Sequence, residues 1–438
     1  MNRHEILSAV KARSQLLDYD EFCALAGEHG SSFFVLDVER LRTNYTTLRS
    51  AFMANYSKVE IGYSYKTNYT PQICRILQDA GAWAEVVSDM EYAAACRLGT
   101  PRDRIIFNGP YKADWAFRDA AIGGATINLD SQRDLDLLAV VATAAPEGVK
   151  IRVVIRTNFA IDENVSRFGF DVDGEDFTAA IDTVTNLPNV YLAGLHCHFP
   201  NRDLDSFRRR AEGMVALCKR IFPNQPPEII NIGGGYFSAL PESLASTLTE
   251  QPATFTDYGA TVGQILKQAF PYPASAPTLF LEPGTALVAD VLTFYTQVVS
   301  TKTVRNRHFA TVSGSIFDIS PNAKLRSLPV TPILDPKTPR RRARDFVIAG
   351  FTCIEGDLLT DGLIAPLETG DALAYGNVGS YSVVMRPPFI LPANPILMAR
   401  EDGTGFDIIK ARQSNATVFD QFDVKLRLAY FSIWSLFL

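Results

Sequence analysis

The sequence predicts a (β/α)8 TIM-like barrel followed by an all-β domain. Three observations point there. Between Val59 and Leu281, strand-like and helix-like patterns alternate through eight candidate strands. Polar or glycine-rich motifs follow many of these strands, as a barrel requires when all its strand ends build the site; an open doubly wound sheet would gather them at one switch point. After Pro283-Gly284 the pattern changes to short alternating strands parted by Pro- and Gly-rich turns.

Taken in order, residues 1–30 read as helical, with Ile6, Val10, Leu16 and Leu17 spaced among charges and a break at Gly30. A short strand is expected over 33–37 and an amphipathic helix over 38–56. The eight barrel strands are expected at 59–66, 83–87, 104–107, 125–128, 150–156, 191–197, 228–232 and 278–281. Helices are expected between most of them, at 70–80, 89–98, 113–122, 131–143, 175–185, 203–221 and 256–269. Further strands fit 291–299, 308–312, 346–351, 371–375 and 405–409, with a long loop over about 320–345. The domains are accordingly an N-terminal helical extension (1–32), the barrel (33–290) and a C-terminal β domain (291–438).

Composition narrows the function classes. A chain of 438 residues has room for two domains, and 47% hydrophobic with 21% charged residues is ordinary for a globular protein. A net charge of −6 gives no reason to expect a nucleic-acid partner, and the basic run 340–344 reads as a solvated loop. No apolar run of roughly 18 residues exists to span a membrane, and the apolar stretch 428–438 reads as a tail docked on this fold or on a second subunit. The opening residues lack the pattern of a secretory leader, and six scattered cysteines without C-x-x-C spacing suit a cytoplasmic setting and no structural metal.

Four strand-end motifs carry possible chemistry. Lys66 closes the first barrel strand, where a lysine is costly unless exposed, paired or covalently used. His196-Cys197-His198 puts two imidazoles on one face, and either could pack in the core or lie on a planar ligand. Gly233-Gly234-Gly235 ends another strand and could be a tight turn or a phosphate cradle; it has neither Walker nor Rossmann spacing. Glu282-Pro283-Gly284 fixes a carboxylate at the end of the last barrel strand, which needs a cationic or N–H partner. A lysine for an imine, glycines for a phosphate, a carboxylate for a pyridinium nitrogen and a flat side chain for a ring together suit one cofactor, pyridoxal 5′-phosphate.

In this order the motifs resemble those of the fold-type III pyridoxal-phosphate decarboxylases, the diaminopimelate and ornithine decarboxylase family. The resemblance runs from about Phe33 to about Phe389. It includes Tyr65-Lys66-Thr67-Asn68, Glu85-Val86-Val87-Ser88-Asp89-Met90-Glu91, Arg156, Ser166-Arg167-Phe168-Gly169, Gly194 to His198, the glycine triplet, Glu282-Pro283-Gly284, Cys353 to Asp357 and Gly379-Ser380-Tyr381. It implies that Lys66 forms the imine, that His198 covers one ring face, and that Gly233 to Gly235 with Tyr381 hold the phosphate. It implies that Glu282 keeps the ring nitrogen protonated, and it adds Glu85, Ser88, Arg156 and Gly284 to the cofactor site. Cys353 would deliver a proton and Glu355 or Asp357 would face the substrate, all from a partner subunit in a head-to-tail homodimer. Three departures stand out: Thr285 where the family usually has arginine, Phe199-Pro200-Asn201 where a Gly-Ser pair usually follows the histidine, and Phe389-Ile390 for an aromatic-Asn pair. Arg386 could replace the missing arginine, with Phe389 beside the substrate. The expected activity is α-decarboxylation of an atypical or conjugated amino acid. A racemase of the same barrel class, or a catalytically silent barrel, are the alternatives.

Overall fold

The computed structural model describes residues 16–249, 251–400, 402 and 404–422. Residues 1–15 and the apolar stretch 428–438 lie outside them. Eight parallel strands close a barrel: Val59–Ser64, Trp83–Val86, Ile105–Phe107, Thr126–Leu129, Ile151–Asn158, Val190–His196, Ile229–Asn231 and Thr278–Leu281. The last pairs with the first in the register Leu279↔Val59, which closes the ring. All eight lie within about two residues of their expected positions. The first ends at Ser64, and Lys66 sits on the 3-10 turn Tyr65–Thr67 that follows it.

A period of two explains both the packing of the barrel and its chemistry. Ile61, Val86, Ile105, Phe107, Ile127, Ile155, Leu195, Ile230, Leu279 and Leu281 are fully buried in the main core. On alternate positions, Ile106, Val154, Ala193, Ile229 and Phe280 form a separate apolar plug. Two residues further along the same faces stand Asn108, Arg156, Asn231 and Glu282, with Glu85 two after Trp83 and Asn128 two after Thr126. The plug therefore supports a polar floor at the C-terminal ends of the strands.

Seven helices follow the pattern expected between the strands, from Pro71–Asp79 to Phe255–Ala269. The helix completing the ring precedes the barrel instead: Val38–Met53 packs against Phe255–Ala269 and the short helix Thr285–Val288. Several starts are capped by side chains, such as Asp203 on the amide of Ser206 (2.7 Å), each worth about 1 kcal/mol.

The second domain is a nine-stranded mixed sheet. Ser32–Leu36, within the range expected for the barrel, belongs to this sheet. It pairs antiparallel with Leu292–Val304 and parallel with Ile396–Ala399. Burial explains the choice: Phe34 packs on Phe294 with ring centroids 4.8 Å apart, and Phe33 stacks between Phe22 and Tyr295. Phe22 comes from the capped helix Tyr19–His29, so the N-terminal segment helps to build the second domain. Three further strands arise where none was expected: Val330–Ile333 in the supposed loop, Leu358–Ala365 and Ile396–Ala399. No helix among the described residues is long and apolar enough to cross a membrane.

Candidate active site

A cleft of about 420 Å³ opens above the polar floor, lined by residues from several barrel strand ends and by Tyr381 of the second domain. Lys66 lines it, with 40% of its side chain exposed. Its Nζ donates to Ser64 Oγ (2.8 Å) and Glu85 Oε2 (3.1 Å), and Ser64 Oγ in turn donates to Glu85. Burial would pull the ammonium down, but Glu85 and Glu282 outweigh it and hold Lys66 above its ordinary value.

Glu282 is buried, and its partners keep it charged. Asn108 Nδ2 (2.8 Å) and Asn231 Nδ2 (2.7 Å) donate to Oε1, and His196 Nε2 donates to Oε2 (3.1 Å). Burial alone would raise the carboxyl; His196, Asn108 and Lys66 override it and hold it well below the usual carboxylate range. Asn108 Nδ2 also reaches Glu85 Oε1 (2.9 Å), tying the two carboxylates together, and Asn128 holds Asn108 Oδ1 (2.7 Å).

His198 accepts from the amide of Gly234 through Nδ1 (3.1 Å). Burial, then Lys66 and Arg210, push its imidazole well below the ordinary value, so it is neutral. Arg156 pairs with Asp130 (3.1 Å) and lies 4.6 Å from the Phe168 ring centroid. Gly284 sits against the lysine turn, where a Cβ would lie 1.9 Å from Thr67 Oγ1. Only a glycine lets the last strand end pass that turn so closely. Tyr381 enters with φ of +60°, a left-handed backbone for a non-glycine residue, and its amide is held by Thr67 O (2.9 Å). Such a conformation costs on the order of 1 kcal/mol and persists where its surroundings over-determine it.

Of the expected site residues, Lys66, Glu85, Arg156, His198, Gly234, Gly235, Glu282, Gly284 and Tyr381 line this one cleft. Others lie elsewhere. Ser88 caps the helix Asp89–Arg97 through the amide of Glu91 (3.2 Å), so its hydroxyl is committed to the helix. The amide of Gly233 is taken by Asn231 Oδ1 (2.9 Å) and does not face the cleft. Asp357 is buried and accepts from Ser315 Oγ (3.0 Å), Ile316 N (2.7 Å) and Thr352 N (3.0 Å). It shapes its own loop and cannot turn toward a substrate. Arg386 is 3% exposed and ion-paired with buried Asp318, so it does not stand in for an arginine at position 285. Phe389 is half-exposed beside Phe317, with centroids 5.7 Å apart, outside the cleft. Cys353 and Glu355 are exposed on the second domain and do not line the cleft of their own chain. Sequence reasoning passed over Asn108, Asn231 and His196 as partners of the carboxylates, Asn128 as the support of Asn108, and Arg202 in the cleft wall. The signal for the asparagines was there: polar residues on the inward face of otherwise apolar strands.

Comparison with known proteins decides what this cleft serves. Residues 39–289 match the pyridoxal-binding domain of the pyridoxal-dependent decarboxylases. This chain belongs to that family. Curated relatives of the decarboxylase include the diaminopimelate decarboxylase of Bacillus methanolicus, 26% identical over 417 residues and covering 89% of this chain and 92% of the relative. That of Methanothermobacter thermautotrophicus is 26% identical over 420 residues, covering 92% and 94%. Among solved structures, diaminopimelate decarboxylase from M. jannaschii in co-complex with L-lysine shares the fold with a TM-score of 0.81 at 21% identity, covering 94% of this chain and 99% of that one. The chain is thus a pyridoxal-phosphate-dependent carboxy-lyase acting on an amino acid.

The cleft fits that cofactor. It offers a lysine amine, an ionised carboxylate and a neutral flat imidazole. Its glycine loop approaches so closely that a Cβ on Gly234 would lie 2.3 Å from Glu282 O. Thr67 Oγ1 and His196 Nδ1 are buried without a partner among the described residues, as expected where a polar group completes the site.

Proposed function

We propose that this decarboxylase acts on an amino acid other than diaminopimelate or ornithine, an atypical or conjugated one from a specialised biosynthetic route. The supporting observation is the rebuilt wall of the cleft. Thr285 stands in it where a family arginine is expected, and the amide of Asn201 turns away from it to Asp162 (2.8 Å). Arg386, the cation expected to replace that arginine, is committed to Asp318. The family's cofactor equipment is retained while its anion-gripping positions have changed, which argues for a different substrate.

Pyridoxal phosphate, when bound, supplies a carbonyl that condenses with amines and a ring that accepts the electron pair released as CO2 departs. The residues divide the remaining work. Lys66 binds the cofactor, and Ser64 with Glu85 forms a short path for the proton its ammonium must give up. Glu282, held ionised, would face the ring nitrogen of the bound cofactor and keep a proton on it, which would favour decarboxylation over racemisation because a protonated ring accepts charge better. His198, a neutral imidazole, would pack on the ring face. Glu85, Gly284, Gly234, Gly235 and Tyr381 shape the cleft around the ring and phosphate, and Arg156 is held by Asp130 at its edge. The protein works as a homodimer in the cytoplasm: Cys353 and Glu355 reach the partner's cleft, Cys353 returning the proton to the α-carbon. Their exposed position, beside exposed Ile354, is what such a shared site needs.

Release of CO2 from a panel of purified amino acids tests the substrate. The expected result is turnover of a conjugated or otherwise atypical member with little on meso-diaminopimelate or ornithine. Efficient turnover of either of those two would sink the proposal.

A further inference from the structure

The cleft carries charges of both signs. Besides the carboxylates Glu85 and Glu282, it is lined by Gly234, Gly235, Tyr236, Thr285, Tyr381 and Arg202. Arg202 follows the sixth barrel strand, on the same loop as His198. It makes no ion pair with a carboxylate among the described residues; its guanidinium rests 5.6 Å from the Phe237 ring centroid, and its carbonyl is anchored by Tyr258 OH. A half-buried guanidinium without a counter-ion, facing a cleft, is poised for an anion.

Behind this wall lies a second cation. Arg210, on the helix Leu204–Ile221, is 0% exposed and stacks 4.1 Å from the Phe207 ring centroid. It donates to Gly234 O (2.7 Å), Phe199 O (2.8 Å), Asn201 O (2.5 Å) and Ser206 Oγ (3.2 Å). It too has no carboxylate partner among the described residues. A buried charge without a counter-ion is expensive, and carbonyls alone solvate it incompletely. Its fork ties the glycine loop to the loop carrying Arg202, and a Cβ on Gly235 would lie 3.6 Å from Arg210 Nη2. The guanidinium thus packs against the glycine loop from outside the cleft.

We propose that Arg202 and Arg210 together supply the positive charge for the cofactor's phosphate, Arg202 by direct contact and Arg210 as a positioning residue that clamps both loops and supports the anion from behind. The two cations match the two charges of a phosphate dianion. This role rests on the cofactor and is independent of the substrate.

The test compares pyridoxal 5′-phosphate with pyridoxal, which lacks the phosphate, as ligands of the apo-protein in absorbance titrations. Arg202→Ala should raise the Kd for pyridoxal phosphate about 10- to 100-fold and leave that for pyridoxal unchanged. Arg210→Lys keeps the charge but loses the fork, and should weaken the phosphorylated ligand selectively by a few-fold. In ³¹P spectra of the holoenzyme, the phosphate should hold its dianionic shift to lower pH in the wild type than in Arg202→Ala. Equal weakening of both ligands by either variant, or no change in their ratio with Arg202→Ala, overturns the proposal.

Discussion

The barrel floor and the second domain's loops carry similar side chains in opposite circumstances. On the floor, Glu282 is buried, bonded by Asn108, Asn231 and His196, and charged. On the loops, Cys353 and Glu355 stand exposed, while nearby Asp357 and Arg386 are consumed in holding the loops themselves. The difference teaches where one chain is complete. The groups that suit the cofactor are pre-organised within a single barrel, whereas those expected at the substrate's reacting carbon are displayed on the surface, where the proposed dimer would carry them to a partner's cleft.

Complementation breaks or sharpens that contrast with the largest effect. Lys66→Ala should lower decarboxylation by at least about 10⁴-fold and abolish the visible absorbance of lysine-bound cofactor. Cys353→Ala should cut turnover while leaving that absorbance intact. Unfolding and refolding the two variants together should restore about a quarter of wild-type activity, because about half the dimers are mixed and each mixed dimer carries one intact site. No recovery on mixing would place each site within one chain.

The same contrast explains what can be read from the sequence. The barrel strands are legible because each is a short apolar run between turn signals, and Lys66, His198 and Glu282 are legible because they interrupt those runs at their ends. Asn108 and Asn231 obey the same rule, but a single asparagine after Ile-Ile-Phe or Ile-Ile also reads as a turn residue. The second domain is less legible. Val330–Ile333 contains Pro332, and Leu358–Ala365 contains Asp361-Gly362, so neither reads as a strand. Ser32–Leu36 is recognisable as a strand, yet nothing local assigns it to the second sheet; its partner lies more than 250 residues away. The positions of Asp357 and Arg386 are readable but not their commitments, because Ser315, Ile316 and Asp318, which claim them, sit on a separate turn.

Asp357 and Glu355 form a matched pair for the next test. Asp357→Ala would leave the amides of Ile316 and Thr352 and the hydroxyl of Ser315 without their acceptor. The expected cost is about 3–5 kcal/mol in urea unfolding, whereas Glu355→Ala should change stability by less than about 0.5 kcal/mol. Similar small values for both would mean that Asp357 does not hold the loop.

The smallest effect probes a buried carboxyl beside the floor, kept there at a cost. Glu91 is buried beneath the second strand end, where its Oε2 accepts from the amide of Val87 (2.9 Å). Burial raises its pKa to about 7; the Val87 bond and Lys66 oppose that rise, and Glu85 adds to it. Because the folded value lies above the ordinary carboxylate value, the fold binds the proton more tightly than the unfolded chain does. The resulting stability is fully present below about pH 4.5 and lost as pH rises through about 7. Glu91→Gln keeps an acceptor for the Val87 amide and removes the titration. The wild type should lose up to about 3 kcal/mol relative to this variant between pH 4 and pH 8 in urea unfolding. The contrast with Glu282 is then specific. A floor carboxylate surrounded by donors stays charged, while Glu91, with one amide donor and a neighbouring carboxylate, holds its proton up to about pH 7. A difference between wild type and Glu91→Gln that does not change with pH would show that the floor tolerates both charges equally.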